Sequence, residues 1–446
     1  MISATPVRLS PTSAKLPEAK NRKPETESLF HTVARVLLIA ILMAAPLAFG
    51  AVQSWAWGTM TGIVGCVLLL WAGGCVHIGA IEVMWSPFYI PALALLIMAL
   101  VQLRFGLTLD RVGTREAILK LVTYLAIFFL TQQLFARRSE RVWRMVAGAV
   151  ALYAFVMALF AIIQFFASPG LLYGVIKPRW GGSVFGPYVN HADYAGLMEM
   201  LIPLVVAFAI SLPQRHPVKP FLLFAVFISL VSVLLSGSRG GLLAFLLELG
   251  IFIVVVLFAT GRHSGLLVVG LGIAVLAISF SLWLDSGSVS KRWKEMAYAP
   301  ELALGERNRI AIDSLRMSRD HFAYGVGIGA FEVAYPEYQT VITDSLIDYA
   351  HNDYAQLFAE TGIMGWVLVP VSIAAFIALS FRRLQSQLNQ QIRWLQMGAV
   401  VAVCGILIHS LSDFNLHIPA NAAWFAACSG LALVSTTSNR KCSARL

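Results

Sequence analysis

Charge is what this chain has least of. Only 13% of its 446 residues are Asp, Glu, Lys or Arg, against about 25% in an ordinary soluble domain. With 58% hydrophobic residues beside it, this excludes a soluble enzyme, a nucleic-acid-binding domain and a disordered scaffold. Cysteine is also scarce. Cys66, Cys75, Cys404 and Cys428 fall in apolar stretches and Cys442 lies near the C-terminus, so neither a disulfide framework nor a thiolate metal site is expected. No Asp-X-Asp and no His-X-X-X-His occurs, which leaves no support for a metal held by paired carboxylates or helical histidines. No cofactor is expected. Residues 1–32 are polar and lack an apolar core with a small-residue cleavage site. They read as a disordered cytoplasmic tail, not a signal peptide.

What is present is a series of apolar runs near the roughly 20 residues that cross a bilayer. The expected spans are about 33–52, 57–78, 85–103, 117–135, 145–167, 194–212, 220–236, 241–260, 265–284, 363–380, 396–413 and 421–436. The fold class is therefore an all-α polytopic membrane protein with about 12 transmembrane helices. Nine of them lie in 33–284 and three in 363–436, with a second cytoplasmic tail over 437–446. An even number of spans puts both termini on one side. Of 33 basic residues, 19 lie in the tails and short loops of that side, so the formal charge of +10 is read as positive-inside topology and not as an anionic-polymer site.

The opposite face carries the unusual material. A loop over 168–193 holds Lys177-Pro178-Arg179-Trp180-Gly181-Gly182 and Val189-Asn190-His191, and a tight turn runs Ser236-Gly237-Ser238-Arg239-Gly240-Gly241. The segment 285–362 contains seven Lys/Arg and twelve Asp/Glu and is too long for a bare connection. Within it, Arg307–Asp320 predicts an amphipathic helix with a stripe of Arg309, Asp313, Arg316 and Asp320. Gly325-Val326-Gly327-Ile328-Gly329 reads as a flexible turn, and His351–Glu360 as a second helix stopped by Gly362.

Several residues stand out, each with a plain structural alternative. Arg239 either snorkels to the interface or, flanked by glycines, presents its guanidinium and free backbone N–H groups to phosphate oxygens. Arg307, Arg309, Arg316 and Arg319 either form a solvated face paired with Asp313 and Asp320 or a second anion-binding set. His351 either opens a helix or, with carboxylates nearby to fix its tautomer, takes a proton from a sugar hydroxyl. His409 and His417, around Ser410–Leu416, read first as packing and hydrogen-bonding residues.

These motifs together resemble the O-antigen ligase and polymerase superfamily, the bacterial membrane glycosyltransferases of the WaaL/Wzy type. The resemblance rests on Ser236–Phe245, Gly325–Phe331, Tyr349–Gln356 with Ala359–Gly362, and His409–Asn421. It implies a GT-C-like helical fold in the bacterial inner membrane, with the large loop periplasmic over a membrane-level cavity. It further implies inverting, metal-independent transfer of a glycan from undecaprenyl diphosphate to a hydroxyl acceptor such as lipid A–core. The family's turn arginine maps onto Arg239, its loop arginine onto Arg309 (with Arg307 two residues away), and its loop histidine onto His351. Arg179, His191, Arg307 and Arg316 are further substrate contacts to test. A polymerase using a second lipid-linked repeat is the nearest alternative. A lipid or polysaccharide transporter, which calls for ionisable residues deep within several spans, is the alternative of another class, and an inactive scaffold a third.

Overall fold

The computed structural model describes residues 28–136, 138–179, 182–260, 300–343, 346–435 and 443–445, with isolated positions between 272 and 279. Counting the described helices in chain order, they are α1 (Leu29–Leu47), α2 (Ser54–Ile78), α3 (Tyr89–Phe105), α4 (Arg111–Phe135), α5 (Glu140–Ala167), α6 (His191–Ser211), α7 (Lys219–Ser236) and α8 (Arg239–Thr260). They continue with α9 (Pro300–Asp320), α10 (Phe331–Ala334), α11 (Asp353–Thr361), α12 (Ile363–Ser386), α13 (Gln390–His409) and α14 (Pro419–Leu433). Eight of these, α1, α2, α4–α7, α12 and α13, are long and apolar enough to cross a membrane. The chain is an all-α polytopic membrane protein. The expected span 265–284 and both expected tails lie wholly or largely outside the described residues.

Short polar side chains start the helices where the sequence supplies them. Asp110, Asn190, Asn352 and Asn389 each accept a hydrogen bond from a first-turn backbone N–H of α4, α6, α11 and α13, filling donors that have no partner within the helix. The caps move several expected boundaries. Helix α6 begins at His191 rather than 194. Helix α11 begins at Asp353, leaving His351 before the helix. The eleventh span ends at His409 instead of 413, because Ser410–Asp413 turns back over the bundle and Asp353 Oδ2 accepts the Ser410 hydroxyl at 2.7 Å.

Helix α6 is the axis of the bundle. It packs against α5, α7, α8 and α13, and most of its length is buried, whereas little of α12 is. A helix enclosed on all sides must also enclose its polar residues, and Asp193 and Glu199 are both buried.

Helix α9 starts earlier than the expected Arg307, at Pro300. Its charged stripe pairs differently from the expected i, i+4 pattern. Asp313 is fully buried and accepts from Arg316 Nη1 (3.0 Å), Thr340 N (3.0 Å), Thr340 Oγ1 (2.8 Å) and the Tyr335 hydroxyl (3.3 Å), while Arg319 faces Asp320. Asp313 thus ties α9 to the chain after α10.

The glycine run expected to be a flexible turn is a docking joint. Gly325, Gly327 and Gly329 all have left-handed backbones, with φ of 72°, 109° and 77°. A Cβ on Gly327 would lie 2.1 Å from Thr108 Oγ1, and one on Gly329 2.7 Å from the Gly113 carbonyl, so only glycine lets this loop press onto the α3–α4 connection. Gln102 of α3 completes the joint. Its amide donates to the carbonyls of Tyr324 (2.7 Å) and Glu360 (2.8 Å) and accepts from Ile328 N (3.0 Å). Two short strands, Ala80–Glu82 and Ser443–Arg445, pair antiparallel and bring C-terminal residues to the α2–α3 connection.

Candidate active site

The turn after α13 carries a buried carboxylate, Asp413, among ionisable side chains. Asp413 is completely buried, and an arginine and two imidazoles converge on its carboxylate. Arg307 Nη1 from α9 lies 3.4 Å from Oδ2, His351 Nδ1 3.7 Å from Oδ1, and His409 Nε2 4.0 Å from Oδ2. Arg307 also donates to the Ser412 carbonyl at 3.1 Å, and Phe414 N donates to Oδ1 at 3.0 Å. Burial alone would raise the Asp413 pKa, but His351, Arg307 and His409 outweigh it and hold the carboxyl below the usual range. An ionised carboxylate therefore faces Arg307 and the two imidazoles.

His351 is held in an uncommon way. Among the described residues it is one of four non-glycine positions with positive φ, at 49°, a backbone that persists only where its surroundings enforce it. The enforcement comes from Asn352 and Asp353. Asn352 Nδ2 donates to the Leu411 carbonyl (2.9 Å) and Asp353 N to the Ser410 carbonyl (3.0 Å). The segments 349–354 and 409–417, separate motifs in the sequence, are in this way laced into one site.

A second layer runs into the bundle. His409 Nδ1 lies 3.1 Å from Glu199 Oε1, both fully buried, so α6 orients the imidazole whose other nitrogen faces Asp413. Helix α8 begins against this pair. A Cβ on Gly240 would fall 2.6 Å from Ser412 Oγ and 3.2 Å from His409 Nε2, and one on Gly241 2.7 Å from Ala195 Cβ. The glycines are there for close approach. Arg239, the first residue of α8 and half-buried, therefore starts its helix beside the Asp413 turn, and Ser238 Oγ accepts from Gly241 N at 3.1 Å.

A second imidazole–carboxylate pair lies on the far side of a stack of rings. His351 packs edge-on against Phe414 (4.9 Å between centroids), Phe414 stacks on Tyr349 (4.5 Å), and Tyr349 meets His417 (5.3 Å). His417 Nδ1 is 2.7 Å from Asp353 Oδ1. Burial favours the neutral ring, but the hydrogen bond and charge of Asp353, with Glu360 beyond, raise the His417 pKa.

The structure thus brings Arg239, Arg307 and His351 to one face with Asp413, His409 and Glu199. Arg309 is exposed, and Arg316 is engaged with the structural Asp313. Arg179 is exposed in the 168–190 loop, and His191 is the first residue of α6. Sequence reading missed Asp413, Glu199 and the pairing of His417. Two signals were available: a lone glutamate inside the apolar run of α6, and a polar cluster, His409 to His417, closing an apolar span. Among the described residues, no group of three or more His, Cys, Asp or Glu is placed to hold a metal ion.

Residues 224–370 match the family model described as O-antigen ligase. That stretch takes in the α7–α8 turn, Arg307 and His351, while the Asp413 turn lies beyond it. The chain is also similar to the teichuronic acid biosynthesis protein TuaE of Bacillus subtilis (strain 168), 24% identical over 252 residues. The match covers 54% of this chain and 49% of the relative, so the chain matches about half of that protein's length.

Proposed function

We propose that this chain, a membrane protein whose residues 224–370 carry the O-antigen ligase domain, is a glycosyltransferase of polysaccharide biosynthesis. In this reading it moves a glycan from undecaprenyl diphosphate to a hydroxyl acceptor on the periplasmic face of the inner membrane. The observation that carries the proposal is the convergence of Arg307 and His351 on buried Asp413, beside the glycine-opened start of α8 that bears Arg239. The N-terminal end of a helix favours an anion, and a diphosphate at the start of α8 is such an anion.

The chemistry asked of these residues is limited, because a lipid diphosphate is already a good leaving group. The acceptor hydroxyl gives its proton to the free nitrogen of His351 as its oxygen bonds to the anomeric carbon. The bond from that carbon to the diphosphate oxygen breaks, and the electron pair leaves with the diphosphate. Arg239 and Arg307 stabilise the developing charge by preorganised electrostatics, and Asp413 orients both Arg307 and His351. A single displacement inverts the anomeric centre. Arg307, rather than the exposed Arg309, takes the part of the loop arginine. Lipid A–core is the acceptor of the ligase reading, and a second lipid-linked repeat that of the polymerase reading.

One observation favours a reading of another class. Glu248 of α8 is buried with neither carboxyl oxygen hydrogen-bonded, about 13 Å along the helix from Arg239 at 1.5 Å per residue. A carboxyl at that depth suits ion-coupled transport. The test is transfer by purified protein in liposomes, in EDTA, from an undecaprenyl-diphosphate glycan to a panel of acceptors, for wild type and His351→Ala. Transfer by wild type alone supports the enzyme: one added block indicates a ligase and a growing ladder a polymerase. No transfer to any acceptor, with glycolipid flux that Glu248→Gln abolishes, sinks the enzyme in favour of the transporter.

A further inference from the structure

Behind the Tyr349–Phe414 stack, on the side away from His351, lies a cavity of about 670 Å³, within the 300–1,000 Å³ typical of small-molecule sites. Its walls divide by chemistry. Toward the bundle it is apolar, with Leu95 of α3, Leu125 and Phe128 of α4, Ile373 and Phe376 of α12 and Phe425 of α14. Toward the loop it is polar, with Asp110, Glu116, Glu332 and Asp348 against a single lysine, Lys120, itself 3.9 Å from Glu116. Asp353 and Glu360 also reach this end. There Asp353 is occupied by His417 and Ser410, and Glu360 by Gln356. His417 lines the cavity with its ring fixed by Asp353 and 27% of its side chain exposed.

We infer that this cavity holds a lipid-anchored amphiphile whose head, at the loop end, is rich in hydroxyls and carries no phosphate there. The apolar end fits an aliphatic chain, and α12, the least buried of the candidate spans, forms one of its walls. The acidic end disfavours a phosphate head by like-charge repulsion, whereas carboxylates and an oriented imidazole are good partners for sugar hydroxyls. The cavity is therefore complementary to the Arg239–Arg307 side: cations for a diphosphate on one face of the ring stack, acids for hydroxyls on the other. Three successive ring contacts separate His417 from His351, so a glycan head rooted in the cavity extends along the stack toward His351. The inference deepens the glycosyl-transfer reading by giving a phosphate-free glycolipid acceptor its own site, which a lipid-diphosphate repeat would not fit, and rests on that reading only for the occupant's role.

Binding is tested without transfer, so the two can fail separately. An alkyl glucoside and an alkyl phosphate of equal chain length, each with a diazirine in the tail, are photolysed with full-length protein in nanodiscs, and labelled peptides are mapped. The expected result is labelling of α4 and α12 peptides by the glucoside, about tenfold above the phosphate. Ser372→Trp, which fills the cavity from α12, should remove it. Glu332→Lys with Asp348→Lys, both at exposed positions, should shift the preference toward the phosphate without disturbing the core. Equal labelling by both probes, or glucoside labelling unchanged by Ser372→Trp, overturns the inference. Retained selective labelling in a His351→Ala protein that no longer transfers supports it.

Discussion

Arg307 and Arg309 differ by two positions and, in this structure, by nearly everything that matters to an arginine. Arg307 is partly covered, anchored on the Ser412 carbonyl and 3.4 Å from a buried carboxylate, while Arg309 is exposed. Arg307→Ala should lower transfer by about 10²-fold or more, in the range of losing one preorganised donor. Arg309→Ala should stay within a few-fold of wild type, and so should Arg316→Ala. Steady-state transfer rates of the three variants at equal membrane abundance decide this; a larger loss at Arg309 would return the loop-arginine role to it. Asp413→Asn should be as damaging as Arg307→Ala, because it leaves two histidines and an arginine facing a neutral amide. The resemblance maps the loop arginine onto Arg309 and the loop histidine onto His351, whereas the structure sets Arg307, two residues away, and His351 against Asp413. Nothing local in Ser412-Asp413-Phe414 distinguishes an orienting carboxylate from a turn residue. Its role arises only when α9, the 351 segment and α13 meet.

His417 gives a pH test at the same scale. Its pKa is raised by Asp353 and Glu360, so its contribution to stability is fully present below the unfolded value of about 6.5 and is lost as pH rises through the folded value. Thermal unfolding of the purified protein should show wild type exceeding His417→Gln by a margin that shrinks as pH climbs above about 6.5. A margin that stays flat or grows with pH would mean that the Asp353 pair does not favour the charged ring.

At the scale of elements, the apolar runs were legible because hydrophobic run length is a strong signal, and among the described residues the helices start and end within about six residues of them. The glycine motifs were visible but their mechanics were not. Gly325–Gly329 reads as flexible in sequence because permissive residues suggest freedom, whereas the positive φ angles and sub-van-der-Waals Cβ positions make the run a rigid joint. Gly327→Ala should accordingly undock the loop from α3–α4. Gln102→Ala should do so more gently, removing three hydrogen bonds and leaving the buried Ile328 N–H unpaired, at a cost of about 1–3 kcal/mol. Limited proteolysis over 321–350 should be accelerated in both variants, while insertion of the spans is unchanged. Unaltered protection in Gly327→Ala would show that the loop is held elsewhere. Gly241→Ala acts differently, since its Cβ meets Ala195 of α6; it should displace the start of α8 and reduce transfer without exposing the loop.

For the whole molecule, the reading depends on which side of the membrane holds the Asp413 turn. A lipid-diphosphate donor displayed in the periplasm requires the α9–α11 segment to be there, and the basic connections, such as that between α12 and α13, to be cytoplasmic. Helix α12 separates the two, its 24 residues spanning about 36 Å at 1.5 Å per residue. Two exposed side chains mark its sides: Ile342 before it, at 102% relative exposure, and Leu388 after it, at 89%. In a background lacking the native cysteines, a membrane-impermeant maleimide should label Ile342→Cys in intact spheroplasts. Leu388→Cys should be labelled only after permeabilisation. The reverse pattern would invert the topology inferred from the basic loops and place Arg239, Arg307 and His351 on the cytoplasmic face, where a periplasmic donor cannot reach them. The expectation rests on charge distribution, because Lys and Arg in short loops are retained on the cytoplasmic side. The sequence could not carry the partition of one face into a cationic half and an acidic half. Those halves are assembled from α3, α4, α6, α8, α9 and the 349–354 and 409–417 segments, and they exist only once these elements pack.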